Sequence, residues 1–582
     1  MPSIRVTAFS GLAPEVHTKL TNKTAAQVAH NCLLWDGRLR PMPEFVVYRT
    51  LPDAVYGLTT SLTYGDLIYS FDMMDITISE TPPITQGVVG VATSSFSNGR
   101  NLAIRLPADG ANRPLSIDAP VVLSVTNYIV GMSRSESPRM VSYAITGVRA
   151  NSDESAPLVL FSVGSAGEYM EGDAVGMTVT LDTTWITDNN IVLLNVYKTI
   201  SNISSGEQVA NPFDTSWHLL FDYPADSVLA SAGELNFSDD GMSYRYGLDL
   251  LPSKEFYTEL STPTTYVTAL DSGWLCAASF TSLQFSEKYL WHAFPVRNLV
   301  SIPATITGMV SKYDTVFVGT TTHPYSVRVS SGEGGNLQLD VRPYPEAHRC
   351  VQGSMVSTGN GAMYVSNEGI VALSPEGMTV ASKELLNPGD TLYTKCGASV
   401  PFTVTSITGA EWMFGRYFGF TFSTELAFWY DPGDSINGAH PFQQLITMDI
   451  PMQARAATVS PRYGLALAAA NVIYLLPLPG YKYQTDYSVA PKKRYRWKSK
   501  RFVMPGHTAF SALKVVRECE GDVCITIWAD CRRVLTYSID DAQPLRLPDA
   551  VQGVEFEFEL EGTAAISEVH IATSIRELTE HE

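Results

Sequence analysis

Val554-Glu555-Phe556-Glu557-Phe558-Glu559-Leu560 alternates acidic and apolar residues with a period of two. That period places Phe556, Phe558 and Leu560 on one face of an extended strand and Glu555, Glu557 and Glu559 on the other, the pattern of a half-buried strand with one acidic face. Upstream, Lys492-Lys493-Arg494-Tyr495-Arg496-Trp497-Lys498-Ser499-Lys500-Arg501 has the same period and the opposite charge. Read as a strand, Arg494, Arg496, Lys498 and Lys500 share one face while Tyr495 and Trp497 share the other. These four cations are the candidate site residues of the chain. Three uses fit them: pairing with carboxylates of a neighbouring subunit or of the same chain, contact with DNA in a lumen, or a plain solvated face. Cations interleaved with aromatics suit nucleic acid.

The same strand reading extends outward. The 42 glycines and 34 prolines fall between short runs rich in Val, Ile, Thr, Tyr and Phe, which is strand-and-turn punctuation. Phe418-Gly419-Phe420-Thr421-Phe422 and Ala427-Phe428-Trp429-Tyr430, the latter ahead of the turn Asp431-Pro432-Gly433, are strong strand candidates. Leu465 to Leu476 is broken by Asn471 and ended by Pro477, so it reads as a buried strand pair and is too short to cross a bilayer. A single short helix is expected over Ala25 to Asn31. The fold class is all-β.

A length of 582 residues predicts several domains. Residues 1–45 form an N-terminal arm. Residues 46–110 and 241–480 carry short strands at roughly regular intervals, and their repeated strand–Gly–strand units fit a β-propeller-like core or stacked sandwiches, which composition alone does not separate. Residues 111–240 read as an inserted β-sandwich of fibronectin-III character, with Val121–Met132 and Met140–Gly147 as strands around a polar turn at Ser133 to Pro138. Residues 481–582 form a C-terminal β module.

The net charge of −19 argues against a protein built to grip nucleic acid, which needs clustered cations, but not against one that lets DNA slide past an acidic wall. Motif chemistry is absent: there is no His-Glu-x-x-His, no phosphate-binding glycine loop and no Gly-x-Ser-x-Gly elbow. Ser238-Asp239-Asp240-Gly241 lacks the spaced oxygens of a calcium loop and reads as an ordinary turn. Seven scattered cysteines imply neither a disulfide framework nor a zinc knuckle. Catalytic, cofactor-binding and metal residues are therefore all read as none. Met1-Pro2-Ser3-Ile4-Arg5 lacks an apolar signal core, so synthesis in the cytoplasm without membrane integration is expected.

Several segments, taken in order, resemble the tail nozzle (tail tubular or tail hub) proteins of short-tailed, podovirus-like bacteriophages. At the C-terminal end these are Tyr495 to Phe502 with Pro505, Leu545-Arg546-Leu547-Pro548, Val554 to Leu560, Gly562, and Ala572-Thr573-Ser574 with Glu577-Leu578. At the N-terminal end they are Gly11-Leu12-Ala13-Pro14, Ala26-Gln27-Val28-Ala29-His30-Asn31, where the family usually has an acidic residue at the position of His30, and Gly37-Arg38-Leu39-Arg40-Pro41. Between them lie Phe285-Ser286-Glu287 with Trp291-His292-Ala293-Phe294-Pro295, Val316 to Thr320, and Tyr364 to Gly369, while Tyr197-Lys198-Thr199 partly matches the family's Tyr-Arg-Thr. The resemblance implies a structural virion protein and no enzyme, with a β-propeller-like core over 46–110 and 241–480 and a C-terminal module that contacts an adaptor or a neighbour. It implies a homohexamer that docks on the dodecameric tail adaptor (head–tail connector) ring, holds tail fibres or tailspikes, and gates the channel for double-stranded DNA at genome ejection. Its place would be the virion tail, after assembly in the host cytoplasm. In many virion proteins of this kind the N-terminal segment clamps a neighbouring subunit. The alternative is a monomeric carbohydrate-binding or carbohydrate-cleaving β-propeller, using the 10% aromatic content for sugar stacking and a pocket of convergent carboxylates.

Overall fold

The computed structural model describes residues 3–12, 23–34, 36–50, short strands within 57–114, then 117–132, 140–149, 153–160, 172–201, 216–240, 266–288, 290, 293–332, 337–383, 385, 404–413, 415–422, 425–433, 443–460, 464–478, 489–540 and 543–579. The turn expected at Ser133 to Pro138 and the pair Trp291-His292 lie outside the described residues.

From Tyr266 onward the chain lays down antiparallel sheets, four strands at a time. Tyr266–Ala269, Leu275–Ser279, Ser282–Phe285 and Leu299–Ser301 form one sheet. Ile306–Lys312, Thr315–Thr320, Tyr325–Ser331 and Leu337–Pro343 form the next, and Val356–Ser357, Ala362–Ser366, Gly369–Leu373 and Met378–Val380 a third. Gly409–Met413, Arg416–Phe420, Leu426–Asp431 and Gln444–Asp449 follow in the same order. Then Ala454–Ser460, Gly464–Ala469 and Val472–Leu476 take Val46–Thr50 from the N-terminal side as their fourth strand. The first strand of each sheet packs beside the first strand of the next. Gly57–Thr60 packs on Ala454–Ser460 and continues the series. Four-stranded meanders repeated side by side through their first strands are the plan of a β-propeller, and the fold is all-β and propeller-like.

Local sequence explains the blades. In Phe418-Gly419-Phe420 the glycine lies opposite Phe428, and a Cβ there would stand 2.6 Å from that ring, so only glycine lets the aromatic lie flat across the strand. Of the strand expected at 418–422, residues 418–420 lie in Arg416–Phe420 and Thr421 and Phe422 follow its end; the strand expected at 427–430 is present within Leu426–Asp431, as is the pair within 465–476.

Residues 117–240 contain a two-sheet sandwich. Val122–Met132, Asp173–Leu181 and Glu234–Asp239 make one sheet; Leu158–Leu160, Met140–Arg149, Ile191–Ser201 and His218–Pro224 make the other. Val141, Tyr143, Ile145, Leu194 and Val196 face Val175, Met177, Val179 and Leu235 in a core of their own. Three strands against four is a fibronectin-like partition. The expected turn at 238–241 is corrected in part: Ser238 and Asp239 complete a strand, and Asp239 is buried because alternation points it inward after Leu235 and Phe237.

The C-terminal module is continuous with the propeller. Gln444–Asp449 is followed in the same sheet by Ala26–His30, Tyr495–Ser499, Gln552–Gly562, Val523–Ala529 and Arg532–Ser538, with Phe502–Ala509 also paired to Gln552–Gly562. A second sheet joins Ile4–Val6, Ile566–Ala572, Ala512–Arg517 and Leu545–Arg546. The helix expected over Ala25 to Asn31 is thus a strand, parallel to Gln444–Asp449 and antiparallel to Tyr495–Ser499. Its alanines favour a helix in isolation, but a slot between two strands offers backbone partners on both sides, and that tertiary gain overrides the weak local propensity.

Trp497 is the centre of the resulting core. It is fully buried, meets Phe9 edge-on at 5.0 Å and Phe558 at 5.7 Å, and donates Nε1–H to the Ser10 carbonyl at 3.0 Å. Trp497→Ala is expected to cost about 3–5 kcal/mol, the range for removing a large buried aromatic. Urea unfolding followed by near-UV circular dichroism checks this; a loss under about 1 kcal/mol would show that the site does not organise the core.

Candidate functional site

The basic run and the acidic strand, read separately in the sequence, are neighbours in the fold. Arg496 lies opposite Glu561, Trp497 opposite Leu560 and Lys498 opposite Glu559. The aromatic faces of both strands turn into the core, and the charged faces turn together to the other side. Arg496 pairs with Glu559 and lies 3.6 Å from Glu561. Lys498 Nζ reaches Glu557 at 2.8 Å. Arg501 bonds Glu557 at 2.8 Å and Glu555 at 3.4 Å. Arg494 pairs with Asp522 at the more exposed end. The far side of the ladder is closed by Trp528, opposite Glu557, whose ring centre lies 4.7 Å from Lys498 Nζ.

Of the four candidate cations, then, Arg494, Arg496 and Lys498 meet carboxylates of their own chain. Lys500 lies elsewhere, with Nζ 5.6 Å from the Phe502 ring centre, and burial lowers its pKa. The cation that takes its place, Arg501, was not singled out by alternation. The reason is a one-residue bulge. From Lys498 to Phe502 this side advances four residues, while the partner advances three, from Glu559 to Phe556. The extra residue reverses which side chains face the carboxylates. Ser499 holds the irregularity: its hydroxyl donates to the Lys500 carbonyl at 2.9 Å and accepts the Phe558 N–H at 2.9 Å. A serine in the middle of a charged and aromatic run is the one sequence signal that could have marked it.

Glu557 is the most constrained acid of the ladder. Burial pushes its carboxyl up, but hydrogen bonds from Lys498, Arg501 and Gln27 outweigh that and hold it below the ordinary glutamate range. The guanidinium of Arg501 is raised in turn by its bond to Glu557. These groups bind and orient one another; the arrangement offers no nucleophile beside a base. Among the described residues no group of three or more His, Cys, Asp or Glu is placed to hold a metal ion. The described cysteines are free thiols, with Cys32, Cys276 and Cys350 buried.

Because its folded pKa is lowered, Glu557 stabilises the folded chain only while it is ionised. Its contribution is fully present above the unfolded glutamate value of about 4.3 and is lost as pH falls through the lower folded value. Glu557→Gln is expected to cost about 2 kcal/mol at pH 7 and progressively less as the pH is lowered through that window. Urea unfolding of both proteins across that pH range checks it, and a cost that does not change with pH would show that the ion pairs contribute nothing.

No family model matches the chain, and no curated protein matches it. Solved structures similar to parts of it include the glutaminyl cyclase of Myxococcus xanthus, at 11% identity over 36% of this chain and 87% of that one, with a TM-score of 0.21. The calcium-binding protein regucalcin of Agrobacterium tumefaciens is 9% identical over 51% of this chain and 90% of its own, with a TM-score of 0.22. BBS1N in complex with ARL6DN is 11% identical over 62% of this chain and 99% of its own, with a TM-score of 0.25. At such scores these likenesses carry no argument about function.

Proposed function

We propose that this chain is the nozzle subunit of a short phage tail: a non-enzymatic virion protein that assembles as a homohexamer, docks on the dodecameric adaptor ring, carries fibres or spikes, and gates the channel through which double-stranded DNA leaves. One observation supports the reading beyond the resemblance itself. The segments that carry the resemblance at the two chain ends form a single body. Ala26–His30 pairs with Tyr495–Ser499, which pairs with Gln552–Gly562, and Leu39 bridges to Ile566. Residues more than 450 positions apart make one packed unit built around aromatic side chains and matched charges, with the propeller sheet ending in it. That is the construction expected of a part that bears load. Under this reading the net charge of −19 reduces sticking of DNA to the conduit.

Copy number per particle tests the proposal. Quantitative mass spectrometry of purified tailed virions, calibrated on the major capsid protein, is expected to find about six copies, as closed sixfold symmetry requires. Absence from particles would overturn the conduit and favour the carbohydrate-binding propeller, for which binding of the isolated monomer to a glycan array is the next measurement.

A further inference from the structure

The sandwich at residues 117–240 buries a pair of opposite charges between its two sheets. Lys198 Nζ stands 2.6 Å from Asp239 Oδ2, and neither side chain has any exposure to solvent. Lys198 belongs to Ile191–Ser201 in the four-stranded sheet and Asp239 ends Glu234–Asp239 in the three-stranded sheet, so the pair spans the gap between the sheets. Tyr143, the cross-strand neighbour of Lys198, donates its hydroxyl to the same Asp239 oxygen at 2.7 Å. The Tyr143 ring lies 5.6 Å from Phe237, which lies 6.2 Å from Phe221, and these rings wall the pair off from water. A second acid, Asp173, is also fully buried. It stands two residues from Val175, the residue opposite Asp239, and therefore on the same inward face of the adjoining strand.

We propose that Lys198 and Asp239 are joined by an intramolecular isopeptide bond that the folded sandwich forms unaided. An ion pair this deep keeps two desolvated charges, which their mutual attraction only partly offsets, whereas an amide carries none. The proton first moves from the ammonium to the carboxylate within their hydrogen bond, leaving an amine beside a carboxylic acid. The Nζ lone pair then attacks Cγ of Asp239. The Tyr143 hydroxyl donates to Oδ2, the oxygen that has taken the proton, and stabilises the charge that builds on it as the Cγ–O bond breaks. Asp173 relays a proton from the attacking nitrogen to the departing hydroxyl. The Nζ–Cγ bond forms, the Cγ–O bond breaks, and one water leaves carrying both protons lost by the nitrogen. Nothing is oxidised or reduced, and no co-reactant is needed. Holding the two groups at hydrogen-bond distance supplies the effective concentration, and the dry interior protects the product from hydrolysis. Lysine is essential: an arginine, as in the Tyr-Arg-Thr of the resembled proteins, would pair with Asp239 but never lose its proton to become the nucleophile.

Intact mass of the purified full-length chain under denaturing conditions tests this. The expected mass lies below that of the sequence by one water, and proteolysis is expected to yield a branched peptide containing both Lys198 and Asp239. Lys198→Arg and Asp239→Ala are each expected to restore the full mass. Asp173→Ala is expected to leave most of the chain unjoined, and a fully joined D173A chain would remove Asp173 from the mechanism. A wild-type chain of full mass, with Lys198 and Asp239 in separate linear peptides, overturns the proposal, as does a loss of water mapped to any other residue. The wild-type measurement decides the matter even if a variant fails to fold.

Discussion

The register of Tyr495–Ser499 between Ala26–His30 and Gln552–Gly562 is the constraint on which the rest of the molecule depends. In the observed register Trp497 lies between Ala29 and Leu560 and points at Phe9 and Phe558. A slip of one residue would carry Arg496 or Lys498 into that core and Trp497 out of it, because side chains alternate strictly across a strand. The apolar face alone would resist this. The charged face resists it again, since the cations would then lose Glu557, Glu559 and Glu561. Buried ion pairs of this kind add little net stability, because desolvation offsets most of the attraction, but they penalise wrong pairings heavily. Apolar packing supplies the energy and the ladder supplies the specificity.

A polar knot fixes the same arm to the propeller. Asn31 donates to Asp449 Oδ2 at 3.0 Å and accepts the Asp449 N–H at 2.9 Å, while Lys493 donates to the Asp449 carbonyl. His30 Nδ1 lies 3.0 Å from the Thr447 hydroxyl, and Nε2 lies 3.2 Å from Asp449. In the resembled proteins an acidic residue usually stands at the position of His30. Here the carboxylate comes from Asp449 across the sheet, so an acid at position 30 would face a like charge, and histidine is the residue that fits. Asn31 at φ 55° then ends the strand, a left-handed conformation that asparagine tolerates better than most residues.

What the sequence made legible followed from period. The alternation of 554–560, the aromatic runs at 418–422 and 427–430 and the apolar pair within 465–476 each fix a face or a hairpin through contacts close in the chain. What it hid depended on long-range partners. The segment 25–31 is a strand only because two distant strands flank it. Asp239 looked like part of a polar turn because its partner, Lys198, sits 41 positions away on the other sheet. Strict alternation puts Lys500 on the cationic face and leaves Arg501 off it, whereas a single bulged residue inverts the period-two pattern without altering composition. Such a bulge is set by the partner strand's register, which a single strand's sequence does not contain.

The charge balance of the chain gains meaning from this arrangement. Residues 481–582 hold 14 basic and 16 acidic residues, leaving 26 and 43 in the remainder. The C-terminal module is therefore nearly neutral, and the acidity of the protein belongs to the first 480 residues. The basic run, the densest in the chain, neutralises its own module. Nucleic-acid affinity comes from cations that release counterions when a phosphate arrives. For Arg496, Lys498 and Arg501 the counterion is already a covalently tethered carboxylate, largely shielded from water at Glu557 and Glu559. A phosphate would have to expel a buried carboxylate and leave it uncompensated, which costs more than the new contact returns. Aromatic and basic residues in alternation thus point to nucleic acid only while their neighbours in space are unknown; opposite a strand of matching acids the same pattern is a lock.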